Sequence, residues 1–145
     1  MRVRSGSCLL LVCLASCACI AQTPVTALCT LTSNAAAYSG KTVSVKAYVV
    51  VDYHGTFLAD QRCKKMIPLV LPEGSDRLPR ISLVEDEAYK HFDELVHDYR
   101  PGTTQPKGRV EAQFEGRFEL LSQQSDSRLA RWQLVLQRVS SVRVR

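Results

Sequence analysis

From Lys41 the chain alternates. Val43, Val45, Ala47, Val49, Val51 and Tyr53 take every odd position, while Thr42, Ser44, Lys46 and Asp52 take the other row together with Tyr48 and Val50. Period two marks a strand with one buried face. A run of about 13 residues is well beyond the usual strand length. A strand that long must bend, and small Ala47 at its middle allows the closest inner approach. Sharing one bent strand between two halves of a sheet is what closing a small barrel requires.

The period returns to two near residue 109. Val110, Ala112, Phe114, Gly116, Phe118 and Leu120 alternate with Arg109, Glu111, Gln113, Glu115, Arg117 and Glu119, and Gly116 in the apolar row is a candidate bend or bulge. Trp132, Leu134 and Leu136 open a last strand; its alternation slips at Ser140-Ser141 and resumes at Val142 and Val144. Between the long strands, Asp52-Tyr53-His54-Gly55 predicts a turn, and residues 57–63 and 66–71 predict two short strands. Pro68 lacks an N–H to donate, which places the second of these at an edge or a bulge. Residues 72–80 predict a loop.

One helix is predicted between the third and fourth strands. Ser82 and Glu85 form a capping-box pattern, and Val84, Ala88, Phe92, Leu95, Val96 and Tyr99 repeat along one helical stripe until Arg100-Pro101-Gly102. Residues 25–38 predict one or two short helical turns, capped by Thr26 and Ser33 and ended by Gly40. The order β-β-β-α-β-β, with long first and fourth strands, predicts an all-β domain with one inserted helix: a five-stranded OB-fold-like Greek-key barrel. An SH3-like barrel is the nearest rival, but a helix of about four turns at that point is foreign to it.

The 145 residues, 46% hydrophobic and 23% charged, suit one globular domain. The first 21 residues stand apart. Arg2 and Arg4 precede a short apolar run, residues 8–15, and then small residues, which is the pattern of a secretory signal peptide. Cleavage after Ala21 leaves a single domain, residues 22–145, with residues 22–40 as a helical segment packed on the barrel. It also leaves Cys29 and Cys63, an even pair suited to an oxidising compartment. Leu14-Ala15-Ser16-Cys17 offers a lipobox alternative, with Cys17 acylated and the protein membrane-anchored. The expected location is periplasmic or secreted, with no transmembrane span in the mature chain. Removing residues 1–21 takes away two arginines and no acid, so the formal charge falls from +5 to +3. That is too mild to imply nucleic acid, which demands a dense, one-sided basic patch.

The segment Asn34-Ala35-Ala36-Ala37-Tyr38-Ser39-Gly40-Lys41-Thr42-Val43-Ser44-Val45, preceded by Cys29 and Leu31, reads N-x-x-x-Y-x-G-K-x-V-x-V. It resembles the opening of small exported bacterial proteins of unknown function with an OB-like domain. G-K-x-V-x-V also resembles the first strand of nucleic-acid-binding OB domains, including the anticodon-binding kind. Many members of that broad group carry glycine where this chain has Ala47. The resemblance covers about a third of the chain and implies fold more than function, since OB barrels host unrelated activities.

A Cys29–Cys63 disulfide would close a loop of about 35 residues, worth about 3–4 kcal/mol on chain-entropy arguments. No C-x-x-C and no His–Cys spacing builds a zinc site. In an OB domain the ligand face lies on strands two and three and the loops beside them. That arrangement predicts a candidate face of Tyr48, Tyr53, His54, Arg62, Lys64 and Lys65, joined by Arg128 and Arg131 from the later loop. Aromatic and basic groups side by side stack on and neutralise an anionic chain, although a solvated rim carries the same residues. On the helix, Glu87, His91, Glu94 and Asp98 share a flank and form a weak metal candidate set; a plain charged helix surface has the same composition. His97 points elsewhere. Five arginines, Arg128, Arg131, Arg138, Arg143 and Arg145, follow the last acid, Asp126, and suit either an anionic envelope partner or protection of an edge.

Catalytic templates are absent: no G-x-S-x-G, H-E-x-x-H, P-loop or C-x-x-C-H occurs. No catalytic residue and no cofactor is expected. Three readings follow in order: an exported binding or interaction module with an envelope protein or anionic polymer as partner; an oligonucleotide or anionic oligosaccharide binder on the OB face; and an enzyme with a site near His54.

Overall fold

The computed structural model describes residues 23–97, 108–121 and 131–145. The readings of residues 1–21, including Cys17, and those of Asp98, Tyr99 and Arg128 lie outside these.

The elements are α1 (Leu28–Ser33), α2 (Ala35–Tyr38), β1 (Thr42–Asp52), β2 (Gly55–Ala59), β3 (Ile67–Val70), a 3-10 turn at Pro72–Gly74, α3 (Glu87–His97), β4 (Val110–Leu120) and β5 (Trp132–Val144). The strands close into a barrel in the order β1-β2-β3-β5-β4, with β1 pairing β4. Among the described strands only β3 and β5 pair in parallel. This is the OB-like barrel that the alternation predicts.

The inward row of β1 is as read: Val43, Val45, Ala47 and Val49 are buried. Val51 is half-buried, and Tyr53 leaves the row altogether, 82% exposed in the turn. Ser44, on the outer row, is fully buried. The N-terminal segment explains this: Val25 bridges Ser44 in parallel, Thr26 N donates to Ser44 O at 2.7 Å, and Gln113 Nε2 donates to Ser44 Oγ at 2.9 Å. Thr26 and Ser33 do not cap the short helices, which start after Ala27 and Asn34 without a side-chain cap. Gly40 does end the segment, at φ 79°, and its N–H bonds to Phe118 O at 2.8 Å.

Two irregularities bend β4 and β5 around the barrel. Pairing shifts between Glu115 and Gly116, and again between Glu111 and Gln113, each time with one extra residue on β5. At the first, a Cβ on Gly116 would sit 2.2 Å from Val135 O, so the backbones approach more closely than any side chain allows. At the second, Ser141 takes φ 55°. Pro68 is on no free edge, because β3 has neighbours on both sides; its ladder to β5 begins one residue later, at Leu69.

The helix is shorter than its pattern. Residues 81–86 belong to no helix, and Val84 N donates to Gln137 O at 2.8 Å on β5. The cap is Asp86, not Ser82: its Oδ1 accepts from Ala88 N and Tyr89 N, both at 3.1 Å. α3 buries Phe92 edge-on against Phe114, with ring centroids 5.4 Å apart, and so plugs the core. Cys29 and Cys63 are bridged, with Cα atoms 5.4 Å apart, which staples α1 to the β2–β3 connection.

Candidate functional site

Antiparallel pairing of β1 with β4 sets Tyr48 opposite Glu111, Ala47 opposite Ala112 and Lys46 opposite Gln113. Lys46 and Tyr48 share the outer row of β1, and Arg109, Glu111 and Gln113 extend along the outer row of β4. β2 ends at Ala59, opposite Tyr48, so the following residues Asp60, Gln61 and Arg62 turn over one side of this surface. Arg143 lies opposite Glu111 on β5 and, with Ser141, walls the other side. Together they enclose an open groove of about 390 Å³. Its volume falls in the range of small-ligand sites.

Tyr48 is the floor's aromatic, and Arg109 lies over it with its guanidinium carbon 4.3 Å from the ring centroid. The backbone of Arg109 is held too, through paired bonds with Arg145 at 2.7 and 2.9 Å. A stacked, backbone-anchored guanidinium is pre-oriented, so little freedom is lost when its N–H edge meets a carboxylate or phosphate. Among the described residues four cations line the groove, Lys46, Arg62, Arg109 and Arg143, against two acids, Asp60 and Glu111. The charges are not evenly matched. Arg62 is paired with Asp60 at 2.8 Å, and Arg143 with Glu111 at 3.1 Å. Among the described residues Lys46 and Arg109 form no ion pair, so the unmatched positive charge sits at the centre, beside Tyr48. The Arg62 guanidinium, with its backbone N–H, holds the Asp60 carboxyl below the ordinary carboxylate range, and Asp60 in turn raises Arg62.

Of the residues singled out in the sequence, this groove gathers Tyr48 and Arg62. The others stand apart. Lys65 lies over Trp132, 5.1 Å from the ring centroid, and Trp132 Nε1 donates to Met66 O at 3.3 Å. Lys64 is exposed next to it. Tyr53 and His54 lie five residues or more along the chain from Tyr48, about 17 Å at strand rise. His54 is exposed and its backbone N–H bonds to Asp52 Oδ1 at 2.7 Å. Arg131 is exposed, and its carbonyl accepts from Leu121 N at 2.8 Å. On α3, Glu87 pairs with Lys90 at 2.9 Å, and His91 and Glu94 are exposed. Among the described residues no three His, Cys, Asp or Glu side chains come close enough to hold a metal.

The residues missed by the sequence reading are Lys46, Arg109, Glu111 and Gln113; Arg143 was singled out only among the C-terminal arginines, for an anionic partner or edge protection, and not with the candidate face. A signal for most of them was present. In an OB barrel strand four returns beside strand one, so the polar row 109-111-113 faces the same side as Lys46 and Tyr48.

A second polar cluster is buried rather than open. Arg117 and Glu119, on the outer row of β4, are 7% and 1% exposed. The loop after the 3-10 turn covers them. Glu119 accepts from Arg117 Nε at 2.9 Å, Ser75 Oγ at 3.1 Å and Gln133 Nε2 at 2.7 Å. Arg117 also donates to Arg77 O at 3.0 Å and to Pro79 O, and Arg77 reaches back to Leu120 O. Each buried side-chain nitrogen and oxygen among the described residues has a partner, so the cluster holds the loop down.

No helix among the described residues is long and apolar enough to cross a membrane. Comparison with family models, with curated proteins and with solved structures finds no match to this chain.

Proposed function

We propose that this chain is an exported, non-catalytic binding module that holds an anionic ligand in the groove over Tyr48. The observation that carries the reading is the pre-oriented Arg109, stacked on Tyr48 and in no ion pair among the described residues, with Lys46 alongside it. Ser141 adds weight: a non-glycine residue at φ 55° lines the same groove, and left-handed backbone outside glycine concentrates at ligand clamps. Export rests on the residue 1–21 pattern and fits a Cys29–Cys63 bridge, which persists in an oxidising compartment.

The test separates a site from bulk charge. Binding of a fluorescent anionic oligomer is followed by anisotropy at several salt concentrations. Replacing Lys46 and Arg109 by Ala should weaken binding at least tenfold and flatten its salt dependence. Replacing Lys64 and Lys65 removes the same charge outside the groove and should change affinity less than threefold. Equal losses from both pairs would mean that the chain's basic charge, and not this groove, holds the ligand.

A further inference from the structure

Resting on that reading, we infer that the ligand is an acidic oligosaccharide, a chain of sugars bearing carboxylates, and that the groove reads its hydroxyls as well as its charge. A nucleic-acid strand needs an open aromatic face for each stacked base. Among the described residues the groove has one aromatic, Tyr48, and Arg109 lies over its ring. A phosphate backbone also presents acceptors alone, so it has no hydrogen to offer the two carboxylates in the groove wall.

Sugars differ on both counts. Each hydroxyl donates and accepts, so a sugar site needs acceptors among its cations. The groove supplies them. Arg143 and Arg145 both reach the same oxygen of Glu111, Oε2, at 3.1 and 3.2 Å, and Oε1 accepts nothing among the described residues. Gln113 donates through Nε2 to Ser44, which turns its carbonyl Oε1 away from that bond and leaves it for a ligand hydroxyl. Arg109 then offers a planar pair of N–H groups that matches a sugar carboxylate, and Lys46 a second positive charge. The assignment is Arg109 and Lys46 to the carboxylate, Glu111 and Gln113 to the hydroxyls.

Glu111→Gln discriminates the two polymers, because it removes one negative charge while keeping the side chain's size. A nucleic-acid site gains from that change; a hydroxyl-reading site loses a charged acceptor. The full exported protein is titrated at one ionic strength with a labelled oligogalacturonate, a neutral malto-oligosaccharide and an oligothymidylate of matched charge. The expected result is saturable oligogalacturonate binding, at least tenfold tighter than the other two, weakened about tenfold by Glu111→Gln and severalfold by Gln113→Ala. Circular dichroism and melting on each variant confirm that it folds, and Gln113→Ala provides a second variant should Glu111→Gln not fold. Oligothymidylate bound in the groove, lost with Arg109→Ala and tightened by Glu111→Gln, overturns the sugar assignment and keeps the anionic-ligand reading. Equal binding of the neutral sugar overturns the role of Arg109. Failure of all three probes overturns both readings.

Discussion

Arg117 and Glu119 sit two residues apart on β4 with opposite charges, both taken out of water by the loop around Ser75 and Arg77. Burying a charge is costly unless its lone pairs and protons are met, and here each is. The pair therefore specifies one position for the loop more than it adds net stability. Removing one partner strands the other. Glu119→Ala should lower unfolding free energy by about 3–5 kcal/mol, the usual cost of an uncompensated buried charge. The double change Arg117→Met with Glu119→Leu should cost far less than the sum of the two single changes. Urea unfolding of the four proteins closes the cycle; additive losses would show that the two side chains act independently. Sequence alternation placed both residues on the solvent row, and by period alone it was right. The covering loop is set by contacts some 40 residues away in sequence, such as Ser75 with Glu119, and no local pattern carries that information.

The disulfide works at the scale of elements. It fixes α1, which buries Leu28 and Leu31, to the connection that carries Asp60, Gln61 and Arg62 over the groove. Replacing Cys29 and Cys63 by Ala should lower stability by about 2–4 kcal/mol and make melting insensitive to reductant. Wild-type protein that melts identically with and without reductant would remove the bridge. The elements themselves were largely legible. Both long strands announce themselves by ten or more residues of alternation, and β5 begins at Trp132, where its pattern begins. Even the slip at Ser140-Ser141 corresponds to a real bulge. Boundaries failed where tertiary contact outweighs local pattern. Val84 keeps helical spacing with Phe92, yet it spends its N–H on Gln137 of β5, and the helix starts only after Asp86. The short strand β2 stops early for a similar reason: Asp60 accepts from Arg62 N and from the Arg62 guanidinium, closing a tight turn inside what reads as strand.

For the molecule as a whole, the groove depends on which strands become neighbours, and so only part of it could be read from the chain. Tyr48 and Arg62 stand out as residues; that Arg109 would lie on Tyr48 follows from barrel closure between β1 and β4. One wall of the groove, the Asp60–Arg62 turn, is tied to acid stability. Arg62 holds the Asp60 carboxyl below its ordinary range in the folded protein, so Asp60 binds a proton less readily folded than unfolded. Its contribution is therefore present in full above the unfolded carboxylate pKa, about 4, and is lost as pH falls through the lower folded value. The expected outcome is specific. Asp60→Asn should lower the melting temperature relative to wild type at pH 6–7, and the gap should close below the ordinary carboxylate range, where wild-type Asp60 is itself neutral. Because the pair is partly exposed, added salt should narrow the gap at neutral pH as well. A gap that persists unchanged down to pH 2 would assign the effect to the shape of the Asp60–Arg62 turn and not to its charge.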